Sequence, residues 1–103
     1  MPYASEMDIA MKTYLEGECV IAIIGLVVAS DTGEEIAEKL ADMELVEDVF
    51  LVTGDLDILI KVRSDDYDEF KDFLINTLAK IEGIKQSKTF IVITPYKDRG
   101  LRQ

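Results

Sequence analysis

The run from Cys19 to Ala29, Cys-Val-Ile-Ala-Ile-Ile-Gly-Leu-Val-Val-Ala, is apolar at odd and even positions alike. Side chains on a strand point alternately to the two faces of a sheet, so a β-branched run of this kind predicts a strand with apolar neighbours on both sides. Only a layered fold, with something lying over each face, accommodates it. The run is about half as long as a membrane-spanning helix, which needs roughly 20 apolar residues. The opening residues, MPYASEMD, lack the basic start and apolar stretch of a signal peptide, so a cytoplasmic protein is expected.

The remaining segments supply the layers. Before this strand, Met7, Ala10, Met11, Tyr14 and Leu15 form a stripe at helical spacing, with Ser5 as N-cap and Gly17 past the end. This short amphipathic helix could dock a partner, or pack on its own domain or on a second copy. After the strand, Thr32 and Glu35 have the spacing of a capping box, and Ile36, Ala37, Leu40 and Met43 repeat along one helical face. Val46 to Thr53 and Asp57 to Arg63 read as two strands, with Gly54-Asp55 between them as a hairpin signal. Ser64-Asp65-Asp66 opens a second helix striped by Tyr67, Phe70, Phe73, Leu74, Leu78 and Ile81 and ended by Gly83. A last strand, Ile84 to Ile93, precedes Pro95.

The order βαββαβ predicts an α+β, ferredoxin-like domain over residues 19–93, a four-stranded antiparallel sheet with both helices on one face. Residues 1–18 would form an N-terminal helix or arm. Residues 94–103, with Lys97, Arg99 and Arg102 against Asp98, would form a basic flexible tail. Neighbours such as Ile23 and Ile24, or Ile91 and Val92, point to opposite faces, so the face without helices also carries apolar side chains. A second copy packed sheet to sheet, in the manner of a dimeric α/β barrel, is the simplest cover.

Composition narrows the chemistry. With 103 residues, 49% of them apolar, one core is expected. A formal charge of -10 repels nucleic-acid phosphates, which excludes a direct nucleic-acid binder and leaves no sign of a membrane surface either. Histidine is absent, which removes the commonest general base, the imidazole metal ligand and the Ser-His or Cys-His pair. No catalytic residue, metal or cofactor is therefore expected, and the chain is not read as an enzyme; a small enzyme of the dimeric barrel type would need a histidine or a cofactor. Cys19, the sole cysteine, permits no intrachain disulfide and is expected to be a small buried hydrophobe. Asp55 and Asp57 could divide acid and base roles or hold a hard cation, but no third ligand stands at a useful spacing. The acids Asp65, Asp66, Asp68 and Glu69 are ordinary partners of a helix start.

The densest polar constellation is Thr53-Gly54-Asp55-Leu56-Asp57. A glycine amide lets a carboxylate approach closely, and carboxylates bind an ammonium group, so the segment offers both halves of a free α-amino acid a partner. Ser87 and Thr89, two apart and hence on one face of the last strand, can donate hydroxyl hydrogen bonds to the same ligand. The same residues also suit a plain tight turn and ordinary strand propensity.

Val46-Glu-Asp-Val49 leading into Thr53-Gly-Asp-Leu-Asp-Ile58, the Asp-rich start of the second helix, and Ile81-Glu-Gly-Ile84 leading into Ser87-Lys-Thr-Phe-Ile91 together resemble one family. It is the amino-acid-sensing C-terminal (RAM) domain of the leucine-responsive regulatory protein/AsnC transcription regulators, over about Val20 to Ile93. The resemblance implies an effector pocket between dimers. Gly54 and Asp57 would contact the main-chain groups of the amino acid, Thr53, Asp55 and Leu56 would shape the pocket, and Ser87 and Thr89 would donate from the other side. It also implies a homodimer, an octamer of four dimers, and co-assembly with full-length regulators of the family. Two features depart from the pattern: Leu56 stands where many members carry an aromatic residue, and the segment before Cys19 has room for one helix rather than a helix-turn-helix, so a stand-alone domain is expected. An ACT-type amino-acid-binding domain, which would use Ser30-Asp31-Thr32-Gly33, and a purely structural oligomerisation domain share the same element order.

Overall fold

The computed structural model describes residues 19–103, so the helix expected between Ser5 and Glu16 lies outside the described residues. Strands β1 (Val20–Val28), β2 (Val46–Leu51), β3 (Ile58–Ser64) and β4 (Ile84–Ile91) form one sheet in the order β2-β3-β1-β4. All of its pairings are antiparallel. Helix α1 (Gly33–Ala41) follows β1, and α2 (Tyr67–Asp72) follows β3. The architecture is the expected ferredoxin-like α+β fold.

Alternation decides which side chains meet the helices. Val20, Ala22, Ile24 and Leu26 of β1 and Ile58, Ile60 and Val62 of β3 join Ile36, Leu40, Phe70, Phe73 and Leu78 in a single core. The intervening residues of β1 and β3 face the other way. The apolar double face of β1 is thus divided between a closed core and a second surface.

Helix starts and ends are fixed locally. Asp66 caps α2 by accepting from the Glu69 amide at 2.8 Å, while Glu69 reaches back to the Asp65 amide at 3.0 Å and the Ser64 hydroxyl at 2.7 Å. At α1 the expected capping box does not form, because the Thr32 hydroxyl donates to the Ala29 carbonyl at 2.6 Å instead. The second helix is also not continuous to Ile81. It widens into a π-helical turn at Phe73–Thr77 and then tightens into a 3-10 turn at Leu78–Lys80. A regular helix rotates by about 140° between residues five apart, whereas a wider π turn brings them much closer to one side. Phe73 and Leu78, five apart, both reach the core, each 4% exposed.

Two further expectations are corrected. Cys19 is exposed, because the sheet begins one residue later at Val20. Gly54-Asp55 is not a two-residue turn but part of a longer loop, since β2 ends at Leu51 and β3 begins at Ile58. In the tail, β5 (Lys97–Asp98) and β6 (Leu101–Arg102) form a hairpin turned by Arg99 and Gly100, both with positive φ, at 52° and 78°. Two successive left-handed residues are what a tight two-residue hairpin turn requires.

Candidate functional site: the β2–β3 loop, the open sheet face and the last strand

Strand β1 outlasts β3, and this leaves a gap in the ladder. Leu26 still pairs with Ile58, and the Asp57 amide donates to the Leu26 carbonyl at 2.8 Å, but no β3 residue lies opposite Val28. The Asp57 carboxylate fills the place, its Oδ2 accepting from the Val28 amide at 2.9 Å. Across the loop, the Val52 amide donates to the Asp57 carbonyl at 2.9 Å. Asp57 is therefore the clasp that ties the loop to the end of β1. Asp57→Ala is expected to lower stability by about 1 kcal/mol, the usual worth of one such bond. Hydrogen exchange at the Val28 amide should accelerate selectively.

Clasping shapes what the loop presents. Leu56 lies over Gly25 of β1, where a Cβ would stand only 2.3 Å from Leu56 Cδ1, so any larger residue in the strand would push the Leu56 side chain out of this position. Thr53, Gly54 and Asp55 are exposed, and Gly54 sits at φ 126°, a conformation other residues rarely adopt. The loop thus offers an open backbone and the Asp55 carboxylate at its tip.

Ser87 and Thr89 lie elsewhere. The register places them opposite Leu26 and Ile24, on the helix-covered face. There they line a cleft of about 400 Å³ with Leu74, Ile75, Leu78, Ala79 and Ile84. Within one chain, then, Leu56 and Ser87/Thr89 belong to opposite faces of the sheet. The expected site residues fall into two half-sites.

The face without helices carries a third feature that sequence reasoning missed. Arg63 donates to Glu47 through Nε at 2.7 Å and to Asp98 through Nη2 at 2.7 and 2.8 Å. Lys61 also bridges Glu47, at 2.9 Å, and Asp98. Hydrogen bonding from Arg63, and then from Lys61, holds the Glu47 carboxyl at about 2 against the opposing effect of burial. Lys61 and then Arg63 hold Asp98 at about 2 in the same way. The same contacts raise Lys61 and Arg63. This quartet links β2 and β3 to the C-terminal hairpin. A signal was present: Lys61 and Arg63 alternate with the core residues Ile60 and Val62, which puts two cations on a surface otherwise read as apolar. Between the quartet and Leu56, Ile23, Leu59, Phe50 and Phe90 remain on this face, the two phenylalanines 55% and 59% exposed.

Among the described residues no group of His, Cys, Asp or Glu is arranged to hold a metal, and no helix is long and apolar enough to cross a membrane.

Comparison with known proteins places this geometry. The family model described as the Lrp/AsnC ligand binding domain matches residues 21–101, so it reaches into the hairpin. An uncharacterized HTH-type transcriptional regulator of Pyrococcus furiosus is 36% identical over 87 residues, covering 84% of this chain and 59% of that protein. The leucine-responsive regulatory protein of Haemophilus influenzae is 31% identical over 65% of this chain and 40% of its own length. The chain spans about half the length of the curated relatives it matches. Among solved structures, a hypothetical protein from Pyrococcus horikoshii has 30% identity and a TM-score of 0.70, covering 75% of this chain and 93% of that one. E. coli AsnC has 27% identity and a TM-score of 0.72, covering 78% of this chain and 54% of that one. The Pyrococcus furiosus relative is named as a transcriptional regulator and the Haemophilus influenzae one as a regulatory protein. The chain belongs to the Lrp/AsnC family, as its ligand-binding domain.

Proposed function

We propose that this domain is a self-associating effector-binding module that senses a free amino acid and thereby modulates transcription, alone or with full-length regulators of its family. The observation that carries the reading is the clasped β2–β3 loop in a chain matched by a ligand-binding family. Its open Gly54 backbone suits a ligand carboxylate. Asp55, and the Asp57 oxygen not engaged by Val28, suit an ammonium group. Thr53 and Leu56 flank these groups. Ser87 and Thr89 lie on the other face, so they complete the site only when they come from a second copy. Contacts between sheet-to-sheet dimers, as in an octamer of four dimers, are what would bring such half-sites together. A ligand held across copies would bias assembly, since it binds the assembled state better than the separated one.

Calorimetric titration with each of the twenty amino acids tests the reading. Binding of at least one is expected, and Asp55→Asn should weaken it by roughly tenfold or more, the worth of a charge-assisted hydrogen bond. Asp55 makes no contact on which the fold depends. No heat with any amino acid would overturn sensing and leave a structural oligomerisation domain.

A further inference from the structure

Strand β2 is one edge of the sheet, since it pairs with β3 alone. An edge strand turns alternate N–H and C=O groups outward without partners, and these are a template for a further extended chain. An irregular register between Val46 and Asp48 blunts the first half of this edge, whereas Val49 to Leu51 pair regularly. A groove borders that regular half. Val49 and Leu51, opposite Ile60 and Ile58, point to the helix-covered side, where with Ala37 and Ala41 of α1 they floor an open groove of about 660 Å³. Leu51 is 54% exposed. Glu34, Glu38 and Asp42 form the rim. Among the described residues no cation pairs with these three, and Lys39, the only cation of α1, stands 3.9 Å from Glu35. The groove shares no residue with the β2–β3 loop or with the cleft beside β4.

We infer that the groove between α1 and β2 receives an extended basic segment of a partner protein, which adds to β2 as a further strand and carries lysine or arginine at every second position. The repeats agree. Glu34, Glu38 and Asp42 are four residues apart, about 6 Å along a helix axis, and alternate side chains of a strand are about 6.7 Å apart. The two parts of the groove also match the two parts of a basic side chain. Methylene stems cover Leu51, Val49 and the two alanines, while the charged heads reach the carboxylates of the rim. An acidic or wholly apolar segment would instead repel those carboxylates or strip them of water. In strand addition of this kind, main-chain hydrogen bonds supply affinity and the alternate side chains supply specificity. The chain's own basic segment is engaged elsewhere, because Asp98 ties the hairpin to Lys61 and Arg63 on the other face of the sheet. The occupant is therefore a segment of another protein.

Fluorescence anisotropy of the full chain with a labelled peptide of alternating pattern, Lys-Thr-Arg-Val-Lys-Thr-Arg, tests this against a scrambled peptide of the same composition, Lys-Arg-Lys-Arg-Thr-Val-Thr. The alternating peptide is expected to bind roughly tenfold or more tightly. Glu38→Lys combined with Asp42→Lys should weaken that binding by about tenfold or more. Circular dichroism should be unchanged, since both positions are exposed and a cation suits the C-terminal end of α1. Hydrogen exchange at the β2 amides should slow when the alternating peptide binds. Equal affinity for the two peptides, unchanged binding by the double variant, or binding without slower exchange at β2 would overturn the inference. A parent assembly that the double variant loses with no peptide present would also overturn it, by assigning the groove to a second copy. Absence of binding by the alternating peptide overturns it outright.

Discussion

Phe90→Glu is expected to leave the protein monomeric at concentrations where the parent chain associates. Phe90 lies beside Ile23 on the sheet face without helices and is 59% exposed, and Phe50 beside Leu59 adds a second ring at 55%. Covering a side chain of this size contributes about 1.5–3 kcal/mol. A two-fold interface counts each substitution twice, and a carboxylate there must also be stripped of water. The side chain makes no contribution to the core, so the monomer should keep its secondary structure. Sedimentation velocity reads the change directly. A folded Phe90→Glu variant with the mass of the parent assembly would place self-association on some other surface.

The second large effect concerns the quartet. Glu47 and Asp98 both titrate at about 2 in the fold, against ordinary values of 4.5 and 3.8. A carboxyl whose pKa is depressed by folding contributes stability above its unfolded value, and that stability is lost as pH falls through the folded one. Melting temperature should therefore hold from about pH 5 upward and fall between pH 4.5 and 2. Lys61, being raised, remains charged well into the alkaline range, so no matching loss is expected near neutrality. Asp98→Asn should flatten part of the acid limb. It should also loosen the hairpin, because the Asp98 carboxylate is its close tie to Lys61 and Arg63, beside a longer Arg99–Glu47 ion pair at 3.9 Å, while Tyr96 and Leu101 are 80% and 67% exposed. Trypsin should then cut after Arg99 many times faster than in the parent chain. Equal cleavage rates would mean that the hairpin is held by something else.

The fold was legible because its periodicities are unambiguous. Ile58, Ile60 and Val62 alternate as a half-buried strand must, and the odd and even apolar positions of β1 forecast a sheet with two apolar faces. What escaped depends on contacts distant in sequence. Asp98 meets Arg63 across 35 positions, so the tail read as a polar end, although Asp98-Arg99-Gly100 carries a tight-turn signature of its own. The break in the second helix follows from Phe73 and Leu78 both seeking the core, and a stripe of apolar residues does not reveal which of them must share one side. Cys19 was misplaced by one residue of strand length.

At the candidate site, residue type was easier to read than role. Asp57 stood out as a carboxylate available to a ligand, and one of its oxygens instead completes the β1 ladder through Val28. Ser87 and Thr89 were rightly assigned to a common face, but the face turns toward the helices, away from the side over which Leu56 lies. Gly25, in the middle of β1, is the seat for Leu56. Sequence spacing sets which residues share a face; which face, and what covers it, is settled by packing.

Native mass spectrometry of the intact chain, sprayed with and without a mixture of amino acids, tests the central claim most directly because it reads assembly and occupancy together. The expected spectrum is a multiple of the 11.6 kDa protomer carrying amino-acid adducts, with the distribution of assemblies shifted by the ligand. A bare 11.6 kDa monomer under both conditions, or an assembly that never takes up an amino acid, would contradict it.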